Sequence, residues 1–267
     1  MTTLEHTAAR PAKETDTRPF AETAETGGKA TPKRQFLRDA EAHVADTGHR
    51  SFVRSALGGY YTSRDTQKAR YRDWEHARDA ASLAKWSAVN RLDELLEQFA
   101  SRFEARGGTV HWAANAEEAR SIILGLLRKA EAKAIIKSKC MTSEEIHLNA
   151  ALEEEGYGVV ESDLGEFIQQ LRGEPPYHFV FPCMHVRRDE ISTLFHDNLG
   201  SEPTDSPEEL TMIARHHMRQ LYVNADVGIT GANFLVAETG QISITENEGN
   251  ARLTAALPKM HIALAGI

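Results

Sequence analysis

The stretch KAIIKSKCMTSEEIHLNAALEEEGYGVVES, residues 133–162, sets the fold class by itself. AIIK is a short apolar run flanked by polar residues, which predicts a buried strand rather than a helix. TSEEIHLNAALEEEG has helical texture, with Thr142 and Glu145 spaced as a capping box and Gly156 as the stop. GVVES then returns to a strand. Strand, helix, strand without a tight turn is the signature of a parallel pair joined by a crossover.

The same alternation extends both ways. Upstream, TVHWA (109–113) reads as a strand, and NAEEARSIILGLLRKAEA as an amphipathic helix with Ile122, Ile123, Leu126 and Leu127 on one face. Downstream come the helix LGEFIQQL, the strand HFVFP (178–182), and the helices RRDEISTLFHDNL and PEELTMIARHHMRQLYVNA. The last third is richer in strands: DVGIT, NFLVAE and QISITEN, the latter two forming an antiparallel hairpin around Thr239-Gly240. KMHIALAGI begins another apolar strand, and ending there reads as a fragment of a longer sheet. The expected architecture is α/β, a mostly parallel sheet flanked by helices with one antiparallel hairpin.

Residues 35–106 precede the sheet as a charged, arginine-rich helical arm, broken at Gly58-Gly59 and closing with NRLDELLEQFASRFEARGG. Such residues pack an arm on a core, or form a docking surface around Tyr60, Tyr61, Tyr71 and Trp74. Residues 1–34 are biased to Thr, Ala, Glu and Pro and read as a disordered tail. The domains are therefore 1–34, 35–106 and 107–267.

The chain has 267 residues and a net charge of −8, which argues against nucleic acid as the main partner. No apolar run is long enough for a membrane span, and the N-terminus lacks a secretory h-region. Two cysteines give no disulfide framework, suit a reducing cytoplasm, and are too few to hold an iron–sulfur cluster.

Chemistry is expected at the strand ends. Lys137, Ser138 and Lys139 lie where a strand gives way to a helix, a place suited to a small carboxylate or phosphate, or simply a solvated turn. Glu161 ends the next strand, and Asp163 and Glu166 open the next helix as caps or as acid–base groups. His178, Cys183 and His185 match no common zinc spacing, and Cys183 reads as a small packed hydrophobe; no metal site is expected. Of the three, His185 is kept as a ligand candidate. Three glycine-bearing loops follow: Thr230-Gly231-Ala232-Asn233, Glu238-Thr239-Gly240 and Glu246-Asn247-Glu248-Gly249-Asn250. Their glycines allow backbone amides close to a ligand.

Taken together, KSKCMTSEEIHLNAALEEEG, VVESDLGEFIQQL, PYHFVFPCMH, PEELTMIARHHMRQ and ADVGITGANFLVAETGQISITENEGNARLTAALPKMHIALAGI resemble the LUD domain, in particular that of the iron–sulfur subunits of bacterial L-lactate oxidation systems. The resemblance runs from about Phe36 to Ile267. It implies a fold of the NagB/RpiA/CoA-transferase type and a cytoplasmic complex with two other subunits that oxidises lactate to pyruvate. It also implies two [4Fe–4S] clusters in the full-length protein, held outside these residues, so that this chain alone is not catalytic. The alternatives are a stand-alone enzyme of the CoA-transferase or isomerase type, handling CoA esters or small anions, and a non-catalytic scaffold. ENEGN is similar to the glutamate setting of CoA transferases, but its order, Glu-Asn-Glu-Gly, carries no covalent role over to Glu246 or Glu248.

Overall fold

The computed structural model describes residues 31–267; most of the expected N-terminal tail lies outside them. The chain divides after Thr47 into two compact units. The first contributes α1 (Pro32–Ala45), which starts three residues before the expected arm because Thr31 caps it and Pro32 fixes its first turn.

From Gly48 the second unit holds three helices, α2 (Thr47–Lys68, all but its first residue), α3 (Trp74–Val89) and α4 (Leu92–Glu104). Gly58 and Gly59 do not break α2. Each costs about 1 kcal/mol relative to alanine in a helix, which a 22-residue helix absorbs. The actual break falls at residues 69–73, where Asp73 caps α3 through the His76 amide.

The α/β body follows: α5 (Ala116–Lys129), β1 (Ala134–Lys137), α6 (Met141–Glu145), α7 (Leu148–Glu154), β2 (Gly158–Glu161), α8 (Leu164–Arg172), α9 (Arg188–Leu199), α10 (Pro207–Asn224), β3 (Val227–Gly231), β4 (Phe234–Val236), β5 (Gln241–Ser243), α11 (Asn250–Ala256) and β6 (Met260–Leu264). Four strands form a parallel sheet in the order β2-β1-β3-β6, and β4-β5 form a separate antiparallel hairpin. The α/β class and the hairpin at Thr239-Gly240 are as expected.

Alternating residues of each strand serve two cores. Ile135, Val159, Val227 and Ile229 pack with Ile123 and Leu127 of α5 and Leu148 and Leu152 of α7. Ile136 faces the other way, onto Phe167 of α8, Phe195 of α9 and Met218 and Tyr222 of α10. On that second face Gly228 lies directly under α11, where a Cβ would overlap the Thr254 carbonyl. Gln170 closes the outer edge of β2, donating to the Val159 carbonyl (2.9 Å) and accepting from the Glu161 amide (3.0 Å). This side-chain amide replaces the missing neighbouring strand.

Two expected strands are absent. Residues 109–113 form no ladder, and Trp112 is exposed, so the alternation there has no apolar partner to face. Residues 178–182 are a loop because His178 Nδ1 accepts from the amides of Val180 and Phe181, and the Tyr177 amide donates to the Pro182 carbonyl. Local side-chain capture of backbone groups outcompetes the sheet at this point. The capping box at Thr142 is not formed either. Cys140 is the N-cap of a five-residue α6, and the chain kinks at His147 (φ +51°) before α7. Arg120 satisfies the Ile146 carbonyl freed by the kink (2.7 Å).

Candidate functional site

The strand order reverses around β1, since the chain passes from β1 to β2 on one side and later to β3 on the other. In open parallel sheets the crevice beyond the C-terminal ends at such a point is where ligands bind. Two polar assemblies occupy it.

The inner one centres on Lys137, the last residue of β1, which is wholly buried. Parallel register places it beside Glu161, the last residue of β2. Its ammonium lies 2.8 Å from Glu161 Oε1 and 3.0 Å from Glu144 Oε1, and donates to Ser143 Oγ at 2.9 Å. Asn149 donates to Glu161 Oε1 at 2.6 Å. The kink between α6 and α7 has a reason here: it brings Glu144 from one helix and Asn149 from the other to the same strand ends. Burial pulls the Lys137 pKa down, but the two carboxylates more than offset it, so Lys137 stays charged. Burial pushes Glu161 up, with Lys137 and Asn149 opposing.

The outer assembly surrounds the N-terminus of α8. Asp163 caps it through the Gly165 amide (3.0 Å), and Glu248, an exposed residue whose carboxylate folds inward, accepts from the Leu164 amide at 3.4 Å. Glu166 is 4% exposed, and its Oε1 lies 3.3 Å from the Lys139 ammonium, which also donates to the Val180 carbonyl (2.9 Å). Burial, then the hydrogen bond and charge of Asp163, push Glu166 up to about 9. Burial and these same acids push the nearby Cys183 thiol up to about 11, so it is a protonated thiol and no nucleophile. Pro182 closes this corner over Gly165, where a Cβ would come within 2.6 Å of its ring.

The expected site residues therefore separate. Lys137 and Glu161 belong to the inner network, where the lysine is committed to carboxylates rather than open to an anion. Lys139, Asp163 and Glu248 meet in the outer cluster. Ser138 and Thr230 are buried ladder residues, with the Ser138 amide on the Ile229 carbonyl and Thr230 Oγ1 2.8 Å from His261 Nε2. Gly231 lets Cys140 approach, and Ala232 follows it out of the sheet. Asn233 ties the base of the hairpin, its side chain accepting from the Thr245 amide (2.7 Å).

The tip Glu238-Thr239-Gly240 docks on the end of α4, where a Cβ on Gly240 would lie 2.5 Å from the Phe103 amide nitrogen. Glu246 accepts from the Arg252 amide and guanidinium (2.9 and 2.6 Å), which holds it below the usual carboxylate range. Asn247 is exposed, Gly249 (φ +79°) is the N-cap of α11, and Asn250 opens that helix. His185 stacks on Tyr177 (4.3 Å between ring centres), 3.5 Å from Glu174 Oε2. Sequence reasoning missed Ser143, Glu144 and Asn149, and read Glu166 chiefly as a helix cap. A strand-end lysine needing several acceptors was the available signal for Ser143 and Glu144, whereas Asn149 donates to Glu161 and had none.

A shallow cleft of about 280 Å³ lies elsewhere, between α5 and α7. Its arginines are already engaged, Arg128 with Glu155 (2.7 Å) and Arg120 with a backbone carbonyl.

A family model described as the LUD domain matches residues 96–267. A lactate utilization protein B from Oceanobacillus iheyensis is 44% identical over 213 residues, 80% of this chain and 45% of the relative. Proteins of the same description from Bacillus pumilus and Bacillus subtilis are each 43% identical, over 80% and 73% of this chain and 45% and 41% of their own lengths. The chain thus spans less than half the length of the curated relatives it matches. No solved structure matches it. With its β2-β1-β3-β6 sheet and the matched residues 96–267, the chain belongs to the LUD-domain family.

Proposed function

We propose that this chain is the LUD portion of an electron-transfer subunit in a cytoplasmic complex that oxidises L-lactate to pyruvate together with two partner subunits. The observation that carries this is its 44% identity, across 80% of its length, with a lactate utilization protein B. That no helix among the described residues is long and apolar enough to cross a membrane agrees with work away from a bilayer core.

The two [4Fe–4S] clusters implied for the full-length family protein do not fit these residues. Each cluster takes four thiolates; the chain has two cysteines, one buried against Gly231 and one held protonated beside α8. The role of this region is then to fold, to present the strand-end acids and to join partners. The CoA-transferase alternative gains no support, because Glu246 is held by Arg252 and Glu248 by the α8 N-terminus.

The test is anaerobic purification of the full-length protein with its partner subunits, followed by spectroscopy on adding L-lactate. Reduction of cluster signals by L-lactate, and not by D-lactate, is expected. Clusters that stay oxidised in an assembly still producing pyruvate would overturn the reading.

A further inference from the structure

Helix α3 is apolar without being covered. Leu83, Trp86 and Val89 recur every three residues as one stripe, and they are 70%, 64% and 62% exposed. Ala77, Ala81, Ala84 and Ala88 run down the opposite side at helical spacing. A helix with apolar residues on opposite sides is normally a buried one. Yet no residue of α3 is buried, and every residue from 78 to 94 is exposed. The next helix, α4, buries Phe99 as an ordinary surface helix does.

The aromatic residues of α2 and of the turn after it are engaged inside the chain. Tyr60 meets Phe181 edge-on (4.8 Å between ring centres), Tyr71 meets Trp74 (5.0 Å), and the Arg64 guanidinium lies over Tyr61. From α2 to α4 the barest apolar surface is the α3 stripe. Charge says what covers it. Between residues 48 and 91, nine arginines and lysines stand against four acids. Residues 92–267 reverse this, with 27 acids against 15 arginines and lysines. The arm is basic and the α/β body acidic. Two copies, each with a net charge of −8, repel one another in most orientations. Laying two α3 helices together adds basic to basic. Setting the arm of one copy on the body of the other pairs opposite charges, and does so twice about a two-fold axis.

We propose that α3 docks on the acidic α/β body of a second copy of this chain, with Trp86 at the centre of each contact and basic side chains of the arm around it. Each copy gives one arm and receives one, so the dimer closes with no arm left over. The aromatic anchor supplies most of the affinity, while the opposite charges steer the encounter and fix which surfaces meet. The inference is independent of the lactate reading, and its failure would leave that reading intact.

Sedimentation equilibrium of the protein measures the dimer constant at about 0.1 M salt and at about 1 M, between which the screening length falls from about 10 to 3 Å. A dimer that loosens as salt is raised is expected. Trp86→Ala removes the anchor, worth about tenfold per contact; because each dimer holds the contact twice, its dissociation constant should rise about a hundredfold. Trp86 is exposed within its own chain, so circular dichroism should show the fold of the variant unchanged. Lys85→Glu should weaken the dimer at the lower salt and lose most of that effect at the higher.

A carbodiimide, which joins amines directly to carboxylates, then maps the contact in a mixture of isotopically light and heavy protein. Links from Lys85 of one copy to acids within residues 92–267 of the other are expected. A protein that sediments as a monomer throughout the micromolar range, a dimer indifferent to Trp86→Ala, or links between copies that join only arm to arm would each overturn the proposal. So would a monomer whose Trp86 fluorescence shifts to the blue only when the partner subunits of the lactate-oxidising complex are added, which would give the surface to them.

Discussion

Replacing Lys137 by methionine keeps the volume of a wholly buried side chain and deletes only its charge. The two carboxylates it serves are affected unequally. The Glu144 side chain is 33% exposed and can turn to water, whereas that of Glu161 is 4% exposed and keeps only the 2.6 Å bond from Asn149. One stranded buried carboxylate is thus the cost, which sets the expected loss at about 3–5 kcal/mol.

The pH dependence has a definite sign. Lys137 opposes the upward push on the Glu161 pKa, so its removal raises that pKa further. A carboxyl whose folded pKa is raised stabilises the fold less as pH increases, because the native state must give up a proton it holds better than the unfolded chain does. The Lys137→Met deficit should therefore be larger at pH 8 than at pH 5.5, changing by up to 1.36 kcal/mol per pH unit within the titrating range. Urea denaturation at both pH values measures it, and adding Glu161→Gln to the variant should recover at least half of the loss. A deficit below about 1 kcal/mol, or one equal at both pH values, would refute the buried network.

Glu166→Gln should gain stability relative to wild type as pH rises from about 4.5 toward about 9, because wild-type Glu166 holds its proton only in the folded state; paired denaturation curves across that range would show a constant difference if the carboxyl were ordinarily ionised. Gly240→Ala places a Cβ against the α4 backbone at a residue with φ +68°, and should cost about 1–3 kcal/mol and speed amide exchange in β4 and β5; unchanged exchange would separate the hairpin from α4. Gly228→Ala forces α11 off β3, since the obstructing atom is the Thr254 backbone carbonyl, and should lower the midpoint of thermal unfolding by several degrees, whereas Gly156→Ala, with open space but φ +82°, tests backbone strain alone.

The parallel body was legible because AIIK, GVVE and VGITG are short apolar runs separated by helices, and burial on both faces is what such runs require. The hairpin was legible from Thr239-Gly240. HFVFP misled because composition favoured a strand, while His178 and the surrounding prolines captured its backbone groups locally. TVHWA misled because alternation describes a strand only where another strand is there to pair with it. The site was half legible. Strand ends marked Lys137 and Glu161 as important, but their pairing depends on the register of β1 against β2 and on a kink at His147, which no local rule encodes. Reading the lysines without counting the surrounding acids left out the carboxylates that Lys137 and Lys139 are engaged with. Where the three glycine loops lie also depends on tertiary placement: one closes the hairpin base, one docks on α4, and only the third reaches the α8 N-terminus.

The role in lactate utilization is tested most directly by growth. Deleting the gene for this protein in its host and supplying L-lactate as sole carbon source should abolish growth, while growth on pyruvate continues and the intact gene restores it. Undiminished growth of the deletion strain on L-lactate, with L-lactate consumption at the wild-type rate, would contradict the account.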